Sequence, residues 1–322
     1  MKASFEEIQQ SIQTLYQRGD YAQAYDLATQ NAEHFPDQAP LFNYWRICMA
    51  VRLGRNAESL HLLSQSLENS FWYGETLLRK SPSLQSLQGD GEFERLVELN
   101  QQQQAKDQAA IYPLLTLRPE GACQDDENPC PLLIALHANG STAQASLDFW
   151  KHVALNGWLV AAPQSSQAMW KDAYVWDDLE VTQSEIEHHL LSISNRYAVD
   201  PRRIVVAGQS MGGEVAIWLV LSGAVEARGF IALAPGGPTL EEPDNWRELV
   251  DGASRRPVRG CLVYGDADPT ISIHGIKLLA SMLNRAGIPC RLERMPGVGH
   301  DFHPSYAAAL LSGLEYILEG SG

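Results

Sequence analysis

One short segment of the sequence has a residue pattern suited to covalent acyl transfer. Ser210 lies between glycines in GQSMGG (208–213), where an apolar run over 202–208 ends and an apolar helical pattern begins. A serine in a tight strand-to-helix turn presents an exposed hydroxyl, and the N-terminus of the following helix directs N–H groups at a developing anion. We therefore predict that Ser210 is a nucleophile. The alternative is a structural turn with an unreactive serine.

A serine at its ordinary pKa is a poor nucleophile, so it needs a base and an acid that orients the base. His300, in PGVGHDF, follows the last predicted strand, and His303 is the other histidine beyond it. Asp266 and Asp268 follow the strand predicted over 261–265. The proline after Asp268 biases this aspartate away from helix. We predict that Asp268 orients His300, and that Asp266 stabilises the turn.

The tetrahedral intermediate of acyl transfer needs two N–H donors for its oxyanion. The backbone N–H of Met211, directly after the predicted nucleophile, is the first candidate. The second candidate lies in the loop HANGS (137–141), which follows an apolar run. The N–H of Asn139 is favoured there, and that of Ala138 is next. The alternative for this loop is an ordinary strand-to-helix connection.

The substrate pocket is predicted along the segment that follows the strand over 158–163. We place His137, Gln164 and Trp176 at this pocket. Trp170 and Tyr174 lie in the same aromatic stretch and, with Trp176, could form an apolar wall for an acyl or alcohol group. The alternative is that the same three rings pack on the N-terminal part of the chain.

The pattern from residue 111 onward predicts an α/β fold. Short apolar runs alternate with helical patterns, which favours a mostly parallel sheet with helices on both faces and an active edge at the strands' carboxyl ends. The continuous apolar run over 131–137 is typical of a strand buried on both faces. Strands are predicted over 111–117, 131–137, 158–163, 202–208, 229–235, 261–265 and 289–295.

The first part of the chain predicts an all-α domain over 1–106, followed by the catalytic domain over 107–322. Two helix-turn-helix patterns recur at a spacing of 35 residues, measured between Gly19 and Gly54. This repeat resembles tetratricopeptide repeats, although the signature Trp-Leu-Gly positions are absent. A frayed helix end or linker is predicted over 99–110. The matching positions are Gly19, Tyr21, Ala24 and Pro36 in the first unit, and Gly54 and Ala57 in the second.

Two repeats are few for a free-standing helical array, because each repeat buries its apolar face on a neighbour. Phe71, Trp72 and Tyr73 are consecutive and cannot all face one helix stripe. We therefore expect the helical domain to dock on the catalytic domain or on a second copy of the chain. The other possibility is recognition of a separate protein partner, as the resemblance to tetratricopeptide repeats implies.

The composition excludes several other classes of protein. The formal net charge of −15 argues against nucleic acid and against an anionic membrane surface, because both need clustered Lys and Arg. No apolar run is long enough for a membrane span, and the N-terminus MKASFEEIQQ does not fit a signal peptide. The sequence contains no phosphate loop, dinucleotide motif or metal cluster. We expect no cofactor and a cytoplasmic location.

Five cysteines, an odd number, favour reduced thiols in a cytoplasmic protein. Cys123 and Cys130 bracket an acidic stretch. We interpret them as free thiols of a surface loop, with a small loop disulfide or a metal clip as the alternative. Two thiolates without a nearby histidine would be a poor zinc site.

The segments LLIALHANGS, RIVVAGQSMGG, LVYGDADPTI and PGVGHDF together resemble the compact carboxylesterase and dienelactone-hydrolase branch of the α/β-hydrolase superfamily. The resemblance covers most of residues 111–322. It implies a triad of Ser210, Asp268 and His300 that hydrolyses a carboxylic ester through an acyl-serine intermediate. A thioesterase or peptidase with the same triad is the close alternative. An alternative from another class of function is a repeat-based interaction protein whose hydrolase fold is catalytically inactive. Ala138 stands where these esterases usually carry glycine.

Overall fold

A computed structural model describes residues 3–107, 113–123, 128–300 and 303–319. The described residues form two compact units. The first contains the described residues up to 107 together with Ala168–Asp172, and the second contains the rest. Each unit has its own apolar core.

The first unit is all-helical, apart from one short strand. Its first helix begins at a capping box, in which the Ser4 hydroxyl accepts the Glu7 N–H and the Glu7 carboxylate accepts the Ser4 N–H. Gly19 ends this helix with a φ of 80°, a left-handed conformation that glycine adopts without strain. The helices are α1 Phe5–Arg18, α2 Tyr21–Asn31, α3 Ala39–Arg52, α4 Asn56–Glu68, α5 Glu75–Arg79 and α6 Gly91–Asp107.

α6 extends further than the sequence predicted, since a frayed end or linker was expected over 99–110. The side-chain amide of Asn100 explains part of the difference. It accepts the Tyr73 N–H at 2.7 Å and donates to the Tyr73 carbonyl at 2.7 Å, which ties the helix to the non-helical segment before α5. The Trp72 indole N–H donates to the Asp107 carboxylate at 3.1 Å. Residues 108–110 lie outside the described residues.

The segment Ala168–Asp172 belongs to the helical unit although it lies far along the chain. Trp170 packs on the core of this unit, and the Gly74 N–H donates to the Met169 carbonyl. Gly74 lies so close to the Ala168 carbonyl that no Cβ fits there, which explains why this position is glycine. Of the two placements considered for Trp170 from the sequence, the structure has the packing on the N-terminal helices.

The second unit is a seven-stranded sheet between helices. The strand order is β1-β3-β2-β6-β7-β8-β9, with β1 antiparallel to β3 and every other pair parallel. The predicted mostly parallel α/β sheet is therefore confirmed. The strands of the chain are β1 Leu114–Leu117, β2 Cys130–Leu136, β3 Leu159–Pro163, β4 Ala168–Trp170, β5 Ala173–Tyr174, β6 Val199–Gln209, β7 Gly229–Leu233, β8 Arg259–Gly265 and β9 Cys290–Met295.

Alternating side chains of the strands build two cores, one on each face of the sheet. Leu132, Ile134 and Leu136 of β2 point into one core, and Leu133 and Ala135 point into the other. The first core is closed by α8, α9, α11 and α12, and the second by α7 and α13. These helices are α7 Ala143–Ala154, α8 Leu179–Arg196, α9 Met211–Ser222, α10 Pro238–Glu241, α11 Arg247–Ala253, α12 Ile273–Arg285 and α13 Tyr306–Leu318.

The strand order reverses direction at the centre of the sheet. β2 is followed in the chain by β3 on one side, whereas β6 lies on the other side and leads to β7, β8 and β9. In open α/β sheets, such a switch point leaves a crevice outside the carboxyl ends of the two strands. His137 follows β2 and Ser210 follows β6, so two of the predicted site residues lie at this crevice.

The interpretation of Cys123 and Cys130 as free thiols is wrong, because the two form a disulfide. Their Cα atoms lie 5.1 Å apart, within the range that a disulfide requires. Ala198 brings them together, since its carbonyl accepts the Cys130 N–H and its N–H donates to the Cys123 carbonyl. The pairing depends on this contact with a residue distant in the sequence.

A thiol count checks the disulfide. Cys48, Cys261 and Cys290 are free and buried. We expect the native protein to react slowly with a thiol reagent, and the chain unfolded without reductant to titrate three thiols. Reduction before unfolding should raise the count to the full five cysteines of the sequence. Five thiols without reduction would contradict the disulfide.

Candidate active site

Ser210 occupies a strained turn between β6 and α9. Its φ and ψ are 53° and −125°, a conformation that few residues other than glycine adopt. Backbone hydrogen bonds hold this conformation. The Ser210 N–H donates to the Leu233 carbonyl at 2.9 Å, and the Ser210 carbonyl accepts N–H groups from Gly213, Glu214 and Gly236. The turn therefore fixes the hydroxyl at the end of the strand.

The structure brings Ser210, His300 and Asp268 into one hydrogen-bonded chain. The Ser210 Oγ lies 3.0 Å from His300 Nε2, and His300 Nδ1 lies 2.7 Å from Asp268 Oδ2. This arrangement fits an imidazole whose Nδ1–H donates to the carboxylate while Nε2 accepts the serine hydroxyl. The His300 side chain is 23% exposed and that of Asp268 is 0% exposed, so the imidazole is accessible and the carboxylate is shielded from water.

The two aspartates of the turn after β8 have different partners. Asp268 Oδ1 accepts the Thr270 N–H at 2.8 Å, which leaves Oδ2 directed at His300. Asp266 instead accepts the Gly297 N–H at 2.6 Å and the Arg294 guanidinium at 2.8 Å. These two bonds lower the pKa of Asp266 below its ordinary value. Asp266 thus holds the loop that carries His300, and its carboxylate is not part of the hydrogen-bonded chain.

His303, the other histidine considered from the sequence, lies outside the chain of contacts around Ser210. Its Nδ1 accepts the Ser305 N–H at 3.2 Å, next to the start of α13. Residues 301 and 302 of the segment PGVGHDF lie outside the described residues.

The predicted oxyanion donors lie on two segments that pack tightly on each other. Gly212, on α9, faces the carbonyl groups at the end of β2. A Cβ at Gly212 would lie 2.5 Å from the His137 oxygen and 2.8 Å from the Leu136 oxygen. In the described part of the chain, no backbone carbonyl accepts the N–H of Met211, Ala138 or Asn139. Asn139 and Ala138 therefore both lack a backbone carbonyl partner, as does Met211, which is what the predicted donors to an oxyanion require.

This contact gives a test of the loop's position. Gly212→Ala should push the loop after β2 away from Ser210, since the new methyl group meets backbone atoms. A misplacement of this size should lower the rate constant of acylation by about 100-fold. Gly252→Ala is the matched control, because no atom lies within 4 Å of the added Cβ in α11. Equal ester turnover by the two variants would contradict the packing described for Gly212.

The side chain of His137 helps to fix the loop that follows β2. Its ring is stacked on Trp176 with a centroid distance of 4.6 Å, and the Trp176 indole N–H donates to the His137 carbonyl at 3.0 Å. Nδ1 lies 2.9 Å from the Ala138 carbonyl, and Nε2 accepts the Ser165 N–H at 3.3 Å. The Gln164 amide nitrogen lies 3.2 Å from the same Nε2, and its oxygen accepts the first N–H of α7. These contacts require the neutral Nδ1–H imidazole.

Burial lowers the pKa of His137 from 6.5 to about 4. The unfolded chain therefore binds a proton at a higher pH than the folded chain. The contribution of His137 to stability is complete above pH 6.5 and is lost as the pH falls toward 4. The shift corresponds to ~3 kcal/mol of unfolding free energy at most.

Denaturant unfolding at pH 7 and pH 4.5 measures this effect. We expect the wild-type protein to lose more stability on acidification than His137→Asn, which cannot titrate. His61→Asn, a change at an exposed histidine, should keep the full wild-type pH dependence. The same acid sensitivity in His137→Asn and in the wild type would contradict a buried neutral imidazole.

A cavity of about 240 Å³ lies beside α9, the helix that follows Ser210. Trp176, one of the predicted pocket residues, lines it, whereas His137 and Gln164 do not line it and instead contact each other at the loop after β2. Tyr174 does not line it either, and its backbone pairs with Ser141 of that loop. The apolar lining consists of Trp176, Leu179, Met211, Val215, Trp218 and Trp246. The polar lining consists of Asp177, Glu214 and Thr239.

Sequence reasoning missed Glu214 and Trp218 as candidate site residues. Met211, Glu214, Val215 and Trp218 follow each other at the spacing of one helix face, so the placement of Met211 at the nucleophile would have implied the other three. Trp246 carried no comparable signal, because it belongs to a short 3₁₀ turn distant in sequence.

Family models match both parts of the chain. Residues 124–318 match the phospholipase/carboxylesterase family, and residues 5–108 match the A/B hydrolase-like N-terminal domain. No curated protein matches the chain significantly.

Solved structures with the same fold include one that spans the whole chain. A protein from Bacillus cereus is 24% identical, with a TM-score of 0.55 over 99% of this chain and 100% of that chain. The esterase PE8 is 17% identical, with a TM-score of 0.52 over 65% of this chain and 100% of that one. A ferulic acid esterase is 17% identical, with a TM-score of 0.51 over 64% and 96%. At these identities the likeness shows the fold alone.

Proposed function

Because the chain belongs to the phospholipase/carboxylesterase family, a family of esterase-type hydrolases, we propose that it cleaves carboxylic esters through an acyl intermediate on Ser210. The observation that carries the proposal is the hydrogen-bonded chain from Ser210 through His300 to Asp268, with distances of 3.0 Å and 2.7 Å. These side chains follow β6, β8 and β9 at one edge of the sheet.

The proposed reaction begins with proton transfer from the Ser210 hydroxyl to His300 Nε2 as Oγ attacks the ester carbonyl. The carboxylate of Asp268 stabilises the imidazolium that forms. The N–H of Met211 and one N–H of the loop after β2, from Asn139 or Ala138, bind the oxyanion of the tetrahedral intermediate. The first turn of α9 adds its positive dipole end at this point.

The intermediate collapses when His300 returns the proton to the departing alcohol, which leaves the acyl group on Ser210. Water then attacks this acyl group as His300 Nε2 takes one of its protons. The second tetrahedral intermediate collapses by breaking the bond between the acyl carbon and Ser210 Oγ, which recovers its proton from His300, and the carboxylic acid is released. The same chain of residues serves thioesters and amides, so a thioesterase or peptidase remains the alternative within this chemistry.

Pre-steady-state kinetics test the proposal. Mixing the protein with a p-nitrophenyl ester should release a burst of p-nitrophenol equal to the enzyme concentration if deacylation is slower than acylation, and mass spectrometry should then find the acyl group on Ser210. A panel of esters, thioesters and aminoacyl amides of varied acyl length ranks the three substrate classes. Faster turnover of a thioester or an amide than of every ester would replace the proposed substrate class.

We also propose a cytoplasmic location. None of the helices in the described residues is long and apolar enough to cross a membrane. The Cys123–Cys130 disulfide is uncommon in a reducing compartment. Alkylation of thiols in intact cells before lysis tests the location, because in a cytoplasmic protein Cys123 and Cys130 should be reduced and become alkylated, and the disulfide should then form only after isolation in an oxidising buffer. A disulfide recovered intact would favour an oxidising compartment.

A further inference from the structure

The loop that connects β2 to α7, residues 137–142, carries the two candidate oxyanion donors Ala138 and Asn139. A hydrogen-bond donor stabilises an oxyanion only when it lies at the position where the charge develops. A misplacement of about 1 Å is enough to lower a rate roughly 100-fold. The contacts that hold this loop therefore bear directly on the proposed reaction.

The side chain of Gln164 contacts both ends of this loop. Gln164 follows β3 directly and is 6% exposed. Its Oε1 accepts the Ala143 N–H at 2.9 Å, where the loop enters α7, and its Nε2 lies 3.2 Å from His137 Nε2, where the loop leaves β2. His137 is 0% exposed, so water does not readily replace a partner that its ring loses. One amide therefore holds the two ends of the loop together.

Trp176 holds the same loop through its ring and its indole nitrogen. The ring is stacked on His137 at a centroid distance of 4.6 Å, and the indole N–H donates to the His137 carbonyl at 3.0 Å. That carbonyl is the group that a Cβ at Gly212 would meet at 2.5 Å. Trp176 therefore fixes the part of the loop that packs on α9, the helix that follows Ser210.

We propose that Gln164 and Trp176 are positioning residues, which hold the loop after β2 where its N–H groups bind the oxyanion. The inference rests on the esterase reaction proposed above. The two side chains are 6% and 2% exposed, and their burial and their contacts with the loop give them this role instead of direct contact with the ester. Because the oxyanion forms only along the reaction path, loss of either contact should lower kcat and leave the binding of the intact ester largely unchanged.

Two variants remove these contacts with little change of volume. Gln164→Met keeps the length of the side chain and loses both hydrogen bonds, and Trp176→Phe keeps a ring on His137 and loses the indole N–H. Each should lower kcat for p-nitrophenyl hexanoate by about tenfold or more. Gln88→Met is the matched control in the helical unit, because the Gln88 amide donates to the Leu78 and Leu84 carbonyls at 2.9 Å and 3.2 Å. It should keep the wild-type kcat even if its thermal transition falls.

A pair of inhibitors separates positioning from a general loss of structure. The ketone 1,1,1-trifluoroheptan-2-one forms a hemiketal oxyanion on an activated serine, whereas hexanamide has the same acyl chain and binds without forming one. In Gln164→Met and Trp176→Phe, the inhibition constant of the ketone should rise by the factor by which kcat/KM falls. That of hexanamide should stay within about twofold of the wild-type value. Unchanged inhibition by the ketone, or an equal loss of affinity for hexanamide, would overturn the positioning role.

Failure of this inference and failure of the proposed function give different results. A wild-type protein that carries an acyl group on Ser210, with both loop variants as active as Gln88→Met, would overturn the positioning role alone. A wild-type protein that hydrolyses no ester and forms no acyl-Ser210 would overturn the proposed reaction and this inference with it. If Gln164→Met does not fold, Trp176→Phe decides, because its ring still stacks on His137.

Discussion

Ser210→Ala is expected to lower ester turnover by ~10⁶-fold, with residual activity from the oxyanion donors and from binding alone. The reason is that no other hydroxyl among the described residues is hydrogen-bonded to His300 Nε2, so the chain of proton transfer ends at this serine. Steady-state assays on a p-nitrophenyl ester, with the thermal transition of the variant beside them, measure the effect.

The fold should survive this change, because the strained turn is held by backbone groups. The Ser210 N–H and carbonyl keep their partners Leu233, Gly213, Glu214 and Gly236 in the variant. Ser165→Ala is a matched control for loss of a buried hydroxyl, since the Ser165 hydroxyl donates to the Val175 carbonyl away from His300. Ester hydrolysis by Ser210→Ala at more than a hundredth of the wild-type rate would remove Ser210 from the mechanism.

Asp268→Asn is expected to lower turnover by ~10⁴-fold. An asparagine can still accept the Thr270 N–H through its oxygen, which directs the amide nitrogen toward His300 Nδ1. The imidazole would then carry its proton on Nε2, where it cannot accept the proton of the Ser210 hydroxyl. The loss should fall mainly on kcat, and KM for a small ester should change little.

Asp266→Asn provides the comparison, since the two aspartates are two residues apart and have separate partners. Asp266 binds Arg294 and Gly297, so this variant should loosen the loop that carries His300 and cause a much smaller loss of turnover. The reverse ranking of the two variants would transfer the orienting role to Asp266.

Much of the fold could be predicted because the central strands of the second unit, such as β2, β3 and β7, are buried on both faces and read as apolar runs. β2 and β6, predicted over 131–137 and 202–208, lie at Cys130–Leu136 and Val199–Gln209. The segment between β7 and β8 gave no comparable pattern. α10 and α11 have four and seven residues, too few for a periodic apolar face to be visible.

Part of the candidate site could likewise be predicted from the sequence, and part could not. Ser210, Asp268 and His300 could be chosen from the sequence because each follows a predicted strand. The choice between Asn139 and Ala138 depends on the orientation of two adjacent peptide groups, which residue types do not encode. The Cys123–Cys130 pairing depends on Ala198, and the cavity beside α9 depends on Trp246, both distant in the chain.

Labelling with a fluorophosphonate tests the central claim most directly, because the reagent reacts with a serine only where a base activates it. One equivalent should add to the wild-type protein, with the modified peptide carrying the phosphonyl group on Ser210. Ser210→Ala should take up none, and Asp268→Asn should react far more slowly than Asp266→Asn. Labelling of another serine, or equal labelling of the wild type and Ser210→Ala, would contradict the assignment of Ser210 as the activated nucleophile.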